Sequence, residues 1–204
     1  MKILGIVGSP RKNGNTAMLI QTALKGAANL GAQTETLFLA DYDYIGCTAC
    51  ESCREGTTCA VQDDMQLIYP RLLEADAIVL GSPTYYYNVS AMVKAFIERC
   101  YCFNFFDPED RSVWTSLNEV LGLKYAVVIA VSEQHSSEDM GVTADVMKHS
   151  LQALGYRVID TIKTMRAFKA GEVNNDQRSL LEAKSAGEKL VRQLKLREKV
   201  RGED

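Results

Sequence analysis

The first sixteen residues place the strongest constraint on the fold. A short apolar run, Lys2 to Val7, is followed by GSPRKNGNT at residues 8–16 and then by an amphipathic helical pattern. A strand, a tight polar loop and a helix start in this order form an anion site, because unpaired N–H groups and the helix dipole point at the loop. Its hydroxyls, amides and arginine favour a phosphate. The alternative is an ordinary polar turn. The loop contains neither GxxxxGK[ST], the fingerprint of nucleoside-triphosphate binding, nor GxGxxG, the fingerprint of dinucleotide binding.

Four further apolar runs alternate with helical patterns. Strands that alternate with helices predict right-handed crossovers and a doubly wound parallel sheet between two helical layers, a three-layer α/β/α fold. The loops that follow the strands of such a sheet meet at its carboxyl edge, where ligands bind. We therefore expect the loops at residues 8–16, 40–62, 83–88 and 132–137 to share that edge. The predicted strands after the first are residues 33–39, 77–80, 126–131 and 157–162, and the predicted helices after the first are residues 63–73, 90–101, 138–154 and 177–196.

Length and charge limit the possible partners. A chain of 204 residues predicts one domain, residues 1–204, with a charged tail from about residue 197. A net charge of −3 argues against nucleic acid, and no apolar run is long enough for a membrane span. Because Met1 leads almost directly into a strand, we expect a cytoplasmic protein. In that compartment the six cysteines predict metal or redox use.

A second informative loop, PTYYYN at residues 83–88, follows the third apolar run. Three consecutive tyrosines at the end of a strand are hard to bury, because each hydroxyl needs a partner. They suit a flat aromatic ligand with polar edges, and beside a phosphate site they predict a mononucleotide-like cofactor. The alternative is that the tyrosines lie at a subunit interface.

The segment of residues 45–60, which we call the cysteine segment, contains the spacing C-x2-C-x2-C-x5-C. The first three cysteines match the bacterial ferredoxin spacing, whereas the fourth lies farther on and has no proline after it. Four thiolates so close in sequence can surround a single [4Fe–4S] cluster. Free thiols, a zinc site and disulfides are the alternatives. The four predicted ligands are Cys47, Cys50, Cys53 and Cys59.

The remaining reactive residues give weaker signals. Cys100 and Cys102, at a helix end, are predicted to pack as small hydrophobic residues. His135 lies in the loop after the fourth strand and could approach the ring, whereas His149 is on a helix, and neither has a visible carboxylate partner. The connection of residues 104–122 is rich in aromatic and acidic residues but has no periodicity. No general acid, base or nucleophile is assigned.

Residues 8–16 and 81–100, read together, resemble the NADPH-dependent FMN reductase group of flavodoxin-like proteins. The resemblance covers roughly residues 1–135 and implies a five-stranded parallel sheet of order 2-1-3-4-5 that binds FMN. With the cysteine motif, the chain resembles the iron–sulfur flavoproteins, which implies a [4Fe–4S] cluster. The implied phosphate ligands are Ser9, Arg11, Asn13, Asn15 and Thr16, and the implied ring contacts are Pro83, Thr84, Tyr85, Tyr86 and Asn88.

This resemblance also implies an activity. It is that of a flavin-dependent oxidoreductase that passes electrons from a ferredoxin-like donor through the cluster to FMN and on to an acceptor. It further implies a homo-oligomer, a dimer or tetramer, in which the cluster of one subunit faces the flavin of another. The protein would position and tune the redox centres, which do the chemistry. The alternatives are a cluster-free NAD(P)H-dependent FMN or quinone reductase, and a flavin- or zinc-binding interaction module without turnover.

Overall fold

Residues 1–56 and 58–202 are described by a computed structural model. The strands are β1 Lys2–Val7, β2 Gln33–Phe38, β3 Ala77–Pro83, β4 Asn104–Phe106, β5 Trp114–Ser116, β6 Lys124–Val131 and β7 Tyr156–Thr164. The α-helices are α1 Asn15–Ala28, α2 Met65–Glu74, α3 Ala91–Arg99, α4 Leu117–Leu121, α5 Thr143–Ala153 and α6 Gln177–Arg201.

Five of these strands form the central sheet, in the order β2-β1-β3-β6-β7. All four pairings are parallel, and the order is 2-1-3-4-5 when only the strands of this sheet are counted. The inner strands are apolar on both faces because helices cover each side. One helical layer contains α1 and α6, and the other contains α2, α3 and α5. The predicted flavodoxin-like three-layer fold is confirmed.

The connection of residues 104–122 is more regular than its sequence indicates. β4 and β5 pair as an antiparallel ribbon, and Ser116 and Glu119 form a capping box at the start of α4. Phe106 stacks on Tyr101, with 5.3 Å between ring centroids, and also contacts Trp114. A three-residue strand carries too few positions for an alternating pattern to be visible in sequence.

The C-terminal helix is longer than expected. α6 continues to Arg201 and so includes part of the tail that was predicted from about residue 197. Arg197 donates hydrogen bonds to the Leu123 carbonyl and to Asp76, which hold this part of the helix against the domain. The last two residues of that predicted tail, 203 and 204, lie outside the described residues. Within residues 1–56 and 58–202, none of the helices combines the length and the apolar character needed to cross a bilayer.

Candidate functional site

A cavity of about 410 Å³, which we call the edge cavity, lies at the carboxyl ends of β1, β3 and β6. The loops predicted to bind a phosphate and a ring form two of its walls. Eight of the predicted site residues line it: Ser9, Arg11, Asn15, Thr16, Pro83, Thr84, Tyr85 and Tyr86. The sequence therefore identified most of this cavity.

Backbone contacts with the sheet fix the predicted phosphate loop. Gly8 N–H donates to the Gly81 carbonyl at 2.8 Å, which fastens the loop to the end of β3. A Cβ atom on Gly8 would lie 2.0 Å from Cγ2 of Val93, so only glycine fits between β1 and α3. Gly14 is the N-cap of α1 and supplies no capping side chain. The first N–H groups of α1 are therefore suited to an external anion.

A further wall of the edge cavity, the loop after β7, was not predicted from the sequence. Phe168 lines the cavity, its carbonyl accepts a hydrogen bond from Arg11 Nη1 at 2.9 Å, and the Arg11 guanidinium lies 5.5 Å from its ring centroid. Asn15 Nδ2 donates to the Lys169 carbonyl at 2.9 Å, and its Oδ1 accepts from Val173 N–H at 3.2 Å. Here the side chains of Arg11 and Asn15 join the two loops. The one sequence feature that could have indicated this wall is an aromatic residue, Phe168, soon after the fifth strand of the sheet.

Tyrosines 85–87 form a strained turn at the mouth of the edge cavity. Tyr85 N–H donates to the Asn88 carbonyl at 2.8 Å, and Asn88 N–H donates to the Tyr85 carbonyl at 3.1 Å. The two residues between them, Tyr86 and Tyr87, have φ values of 49° and 63°, as in a type I′ turn that usually holds Asn-Gly. Tyr86 is 99% exposed. Strain of this kind clusters at ligand sites.

Two of the predicted contacts do not line the edge cavity. Asn13 lies within the loop of residues 8–16, and its side chain is exposed. The Asn88 carboxamide oxygen accepts a hydrogen bond from Val89 N–H at 2.8 Å, so this residue shapes the tyrosine turn. Thr84 behaves differently, because its hydroxyl oxygen is buried and has no hydrogen-bond partner among the described residues. An unpaired hydroxyl in a cavity wall fits the polar edge of a ring ligand.

The four cysteines of the motif line a second cavity of about 430 Å³, the cysteine cavity. Ile97, Glu98 and Tyr101 near the end of α3, and Leu154 after α5, form other parts of its wall. Among the described residues, the linings of the two cavities have no member in common. The cysteine segment was expected to share the carboxyl edge with the other loops. The chain leaves that edge after β2, but the cysteines lie against the C-terminal ends of α3 and α5, so the expectation is wrong for the thiols.

The thiols of the cysteine segment interact with neighbouring groups. Ala49 N–H donates to Cys47 Sγ at 3.4 Å. Hydrogen bonds from Ser52, and from Thr48, lower the pKa of the Cys50 thiol. The pKa of Cys53 is raised, mainly by burial and then by the nearby thiols of the motif. Hydrogen bonds to sulfur are a feature of protein sites that bind iron–sulfur clusters.

The sulfur atoms do not converge on one point. Within residues 1–56 and 58–202, no three His, Cys, Asp or Glu side chains are grouped as a metal ion would require. A [4Fe–4S] cluster takes one thiolate per iron, so its ligands stand around a volume rather than a point. Four thiols in the wall of one cavity fit that donor set. Cys100 and Cys102 are buried in the core instead, as predicted.

The parallel sheet order, with an anion loop and a strained aromatic turn at its carboxyl edge, defines a flavodoxin-like α/β protein. Residues 1–169 match the family described as NADPH-dependent FMN reductase, and the chain belongs to that family. The resemblance inferred from the sequence is therefore confirmed. The expectation of a flavin-dependent oxidoreductase agrees with this membership.

Several known proteins are similar to this chain. An iron-sulfur flavoprotein of Methanocaldococcus jannaschii is 43% identical over 99 residues, which cover 48% of this chain and 51% of that protein. One of Methanosarcina thermophila is 40% identical over 99 residues, covering 48% and 52%. The chain thus spans about half the length of the curated relatives it matches. An NAD(P)H:quinone oxidoreductase structure from Methanothermobacter marburgensis superposes with a TM-score of 0.71 at 16% identity, covering 93% of this chain and 98% of that one, and supports the fold.

Proposed function

We propose that the protein is a flavin-dependent oxidoreductase that binds FMN in the edge cavity. The observation that carries the proposal is the meeting, in one cavity, of the α1 N-terminus and the strained tyrosine turn. A phosphate and a flat ring are the two ends of a flavin mononucleotide. Membership of a family described as FMN reductases supports the same ligand.

Different residues of the edge cavity would bind the phosphate and the ring of FMN. The N–H groups at the start of α1, with the hydroxyls of Ser9 and Thr16, would bind the phosphate. Pro83, Thr84 and Tyr85 would line the ring, and the buried Thr84 hydroxyl would bond to its polar edge. Phe168 would cover the opposite side of the cavity. FMN supplies the redox chemistry, so these side chains bind and orient it and exclude water.

We further propose that the cysteine cavity holds a [4Fe–4S] cluster, with Cys47, Cys50, Cys53 and Cys59 as ligands. Two observations support it: the four thiols stand in the wall of one cavity, and the similar archaeal proteins are named iron-sulfur flavoproteins. A ferredoxin-like protein is the proposed electron donor, and a homo-oligomer the proposed assembly. Exposed thiols at Cys47 and Cys50 fit a reducing compartment, the cytoplasm.

A second candidate is a cluster-free reductase that takes hydride from NADPH. The description of the family as NADPH-dependent supports it. This candidate uses the same edge cavity. It differs in leaving the four cysteines as free thiols.

One experiment separates the two candidates. The protein is purified without oxygen, and FMN, iron and acid-labile sulfide are measured per chain. Flavin reduction is then followed with NADPH and, separately, with reduced ferredoxin. Four irons per chain and faster reduction by ferredoxin are expected for the cluster protein. Iron-free protein that is reduced rapidly by NADPH would establish the reductase instead, and protein that binds no FMN would refute both.

A further inference from the structure

Arg99, the last residue of α3, contacts both ends of the cysteine segment. Its guanidinium is fully buried. Nη1 donates to the Ile45 carbonyl at 3.0 Å, and Nη2 donates to the Val61 carbonyl at 3.2 Å. Ile45 precedes the first cysteine of the motif, and Val61 follows the last. One planar group therefore ties together two points of the chain between which all four thiols lie.

Asp63 completes this arrangement. Its carboxylate pairs with Arg99 through two hydrogen bonds, of 2.5 Å to Nη1 and 3.0 Å to Nη2. The same carboxylate accepts from Ile45 N–H at 3.2 Å and from Met65 N–H, at the start of α2, at 3.1 Å. The ion pair thus joins the end of α3, the start of α2 and the chain on each side of the cysteine segment.

The residue before Arg99 holds a third point. Glu98 Oε2 accepts from Cys47 N–H at 3.3 Å, while Oε1 pairs with Lys94 Nζ at 2.6 Å. Two consecutive side chains at the end of α3 therefore contact the cysteine segment at its entry and its exit. The charges are balanced, because the buried cation faces the carboxylate of Asp63 and the Glu98 carboxylate has Lys94 as its own partner.

A buried ion pair of this kind is poorly explained by stability alone. Taking two charges out of water costs about as much as their attraction returns, and apolar replacements of similar volume are often equally stable. Burial acts to lower the pKa of Arg99, but hydrogen bonding to Asp63, with the Cys59 thiol also close by, outweighs it and raises the pKa. What the pair does provide is a fixed geometry, since a guanidinium and a carboxylate meet in only one plane.

We propose that Arg99 is the positioning residue of the cysteine cavity, and that with Asp63 it holds the two ends of the cysteine segment so that the four thiols surround one volume before any metal binds. The role of the thiols as cluster ligands rests on the proposed function. The positioning itself does not, because it concerns the shape of the segment in the chain alone.

The test uses the full-length protein with FMN and compares Arg99→Gln, Arg99→Lys and Asp63→Asn with wild type. Alkylation rates of all six cysteines are measured by peptide mass spectrometry in the iron-free state. Arg178→Gln is the matched control, because it removes a guanidinium from an exposed ion pair with Glu182 on α6 and leaves the contacts of the cysteine segment untouched. Cys100 and Cys102 report on the core, since both are buried.

The half-buried Cys53 and Cys59 are expected to react about tenfold faster in Arg99→Gln, because the segment opens locally while the core stays closed. Arg99→Lys keeps the charge but not the planar fork, so it should restore part of the protection. Asp63→Asn should resemble Arg99→Gln, and Arg178→Gln should resemble wild type. After anaerobic reconstitution, iron per chain and the visible spectrum of the cluster should fall in the same order, with FMN affinity unchanged.

The alkylation pattern decides whether Arg99 positions the cysteine segment. Unchanged reactivity of Cys53 and Cys59 in Arg99→Gln, with Cys100 and Cys102 still protected, would overturn the proposal. If all six cysteines react in that variant, its core has opened, and the nearly isosteric Asp63→Asn decides by the same criterion. A wild-type protein that takes up no iron would refute the cluster, while the alkylation pattern would still decide the role of Arg99.

Discussion

The two candidate sites of this molecule are built in different ways. The loop of residues 8–16 is joined to the sheet by the backbone hydrogen bond between Gly8 and Gly81 and by the tight fit of Gly8 against α3, and the side chains of Arg11 and Asn15 connect it to the loop after β7. The cysteine segment is held by side chains, chiefly Arg99 and Asp63, that lie outside it. The first site is therefore anchored directly to the central sheet, whereas the second depends on a few side chains that lie outside it. Single substitutions should consequently affect the two sites very differently.

Loss of the proposed cluster is the largest effect expected. Changing Cys47, Cys50, Cys53 or Cys59 to Ala removes one of the four sulfur ligands, so iron and acid-labile sulfide should be lost or strongly reduced. FMN should be retained because the edge cavity has its own lining. Cys100→Ala and Cys102→Ala are the matched controls and should keep their iron. Simultaneous loss of FMN would show that the two sites are not independent.

The second prediction concerns the ion pair. Asp63→Ala leaves the buried Arg99 guanidinium without its counter-charge, and should lower the free energy of unfolding by about 3–5 kcal/mol. The measurement is urea denaturation followed by circular dichroism. Lys94→Gln breaks an exposed pair on the same helix and should cost no more than about 0.5 kcal/mol. Equal effects of the two substitutions would show that the buried pair matters no more to the fold than an exposed one.

The edge cavity is tested by substituting two glycines and comparing the effects. Gly8→Ala should destabilise the fold by roughly 1–3 kcal/mol, because its Cβ must displace Val93, and FMN binding should weaken with it. Gly56→Ala, in the cysteine segment, is the control, since its Cβ would meet nothing within 4 Å. Both variants are measured by denaturation and by FMN titration. An unaffected Gly8→Ala protein would mean that the phosphate loop is looser than its contacts indicate.

The phosphate end of the ligand can be tested alone. Thr16→Val removes a hydroxyl from the edge cavity at nearly constant shape, and should weaken FMN binding by about 1.5–3 kcal/mol, the range for a hydrogen bond to a charged group. Riboflavin has no phosphate, so its affinity should hardly change. The measurement is quenching of flavin fluorescence. A matched loss for both flavins would place Thr16 near the ring instead.

The smallest effect concerns pH. Burial raises the pKa of Asp63, but the hydrogen bonds from Arg99, Ile45 and Met65 outweigh it, and the net pKa is below the ordinary value of 3.8. A carboxyl whose pKa is lowered by folding stabilises the protein above the unfolded value, and that contribution is lost as the pH falls through the lower folded value. The free energy of unfolding, measured by urea denaturation, should therefore lose this contribution only below about pH 4. Asp63→Asn should lack this step, and a step that remains would assign it to another group.

The sequence predicted those parts that depend on local pattern. Apolar runs between helical patterns predicted all five strands of the sheet, and glycines and hydroxyls around residues 8–16 predicted the anion loop. The sequence did not predict the part of the edge cavity formed by Phe168. This residue reaches the cavity through contacts with Arg11, which lies more than 150 residues earlier in the chain. The role of Arg99 was not predicted for a related reason. In sequence it is one more basic residue at the end of a helix, and its burial depends on Asp63 and on how α3 packs.

Helix α3 joins the two sites in a way that makes its length matter. Ser90, at its start, donates to the Gly8 carbonyl at 2.7 Å, and Arg99, at its end, holds the cysteine segment. One residue inserted between them would rotate Arg99 by about 100° around the helix axis and leave Ser90 in place. The phase of this helix is thus fixed from both ends, and insertions or deletions within it should be tolerated far less than substitutions. A cysteine segment transplanted onto another flavodoxin-like scaffold would accordingly need Asp63, Glu98 and Arg99, with this helix in register.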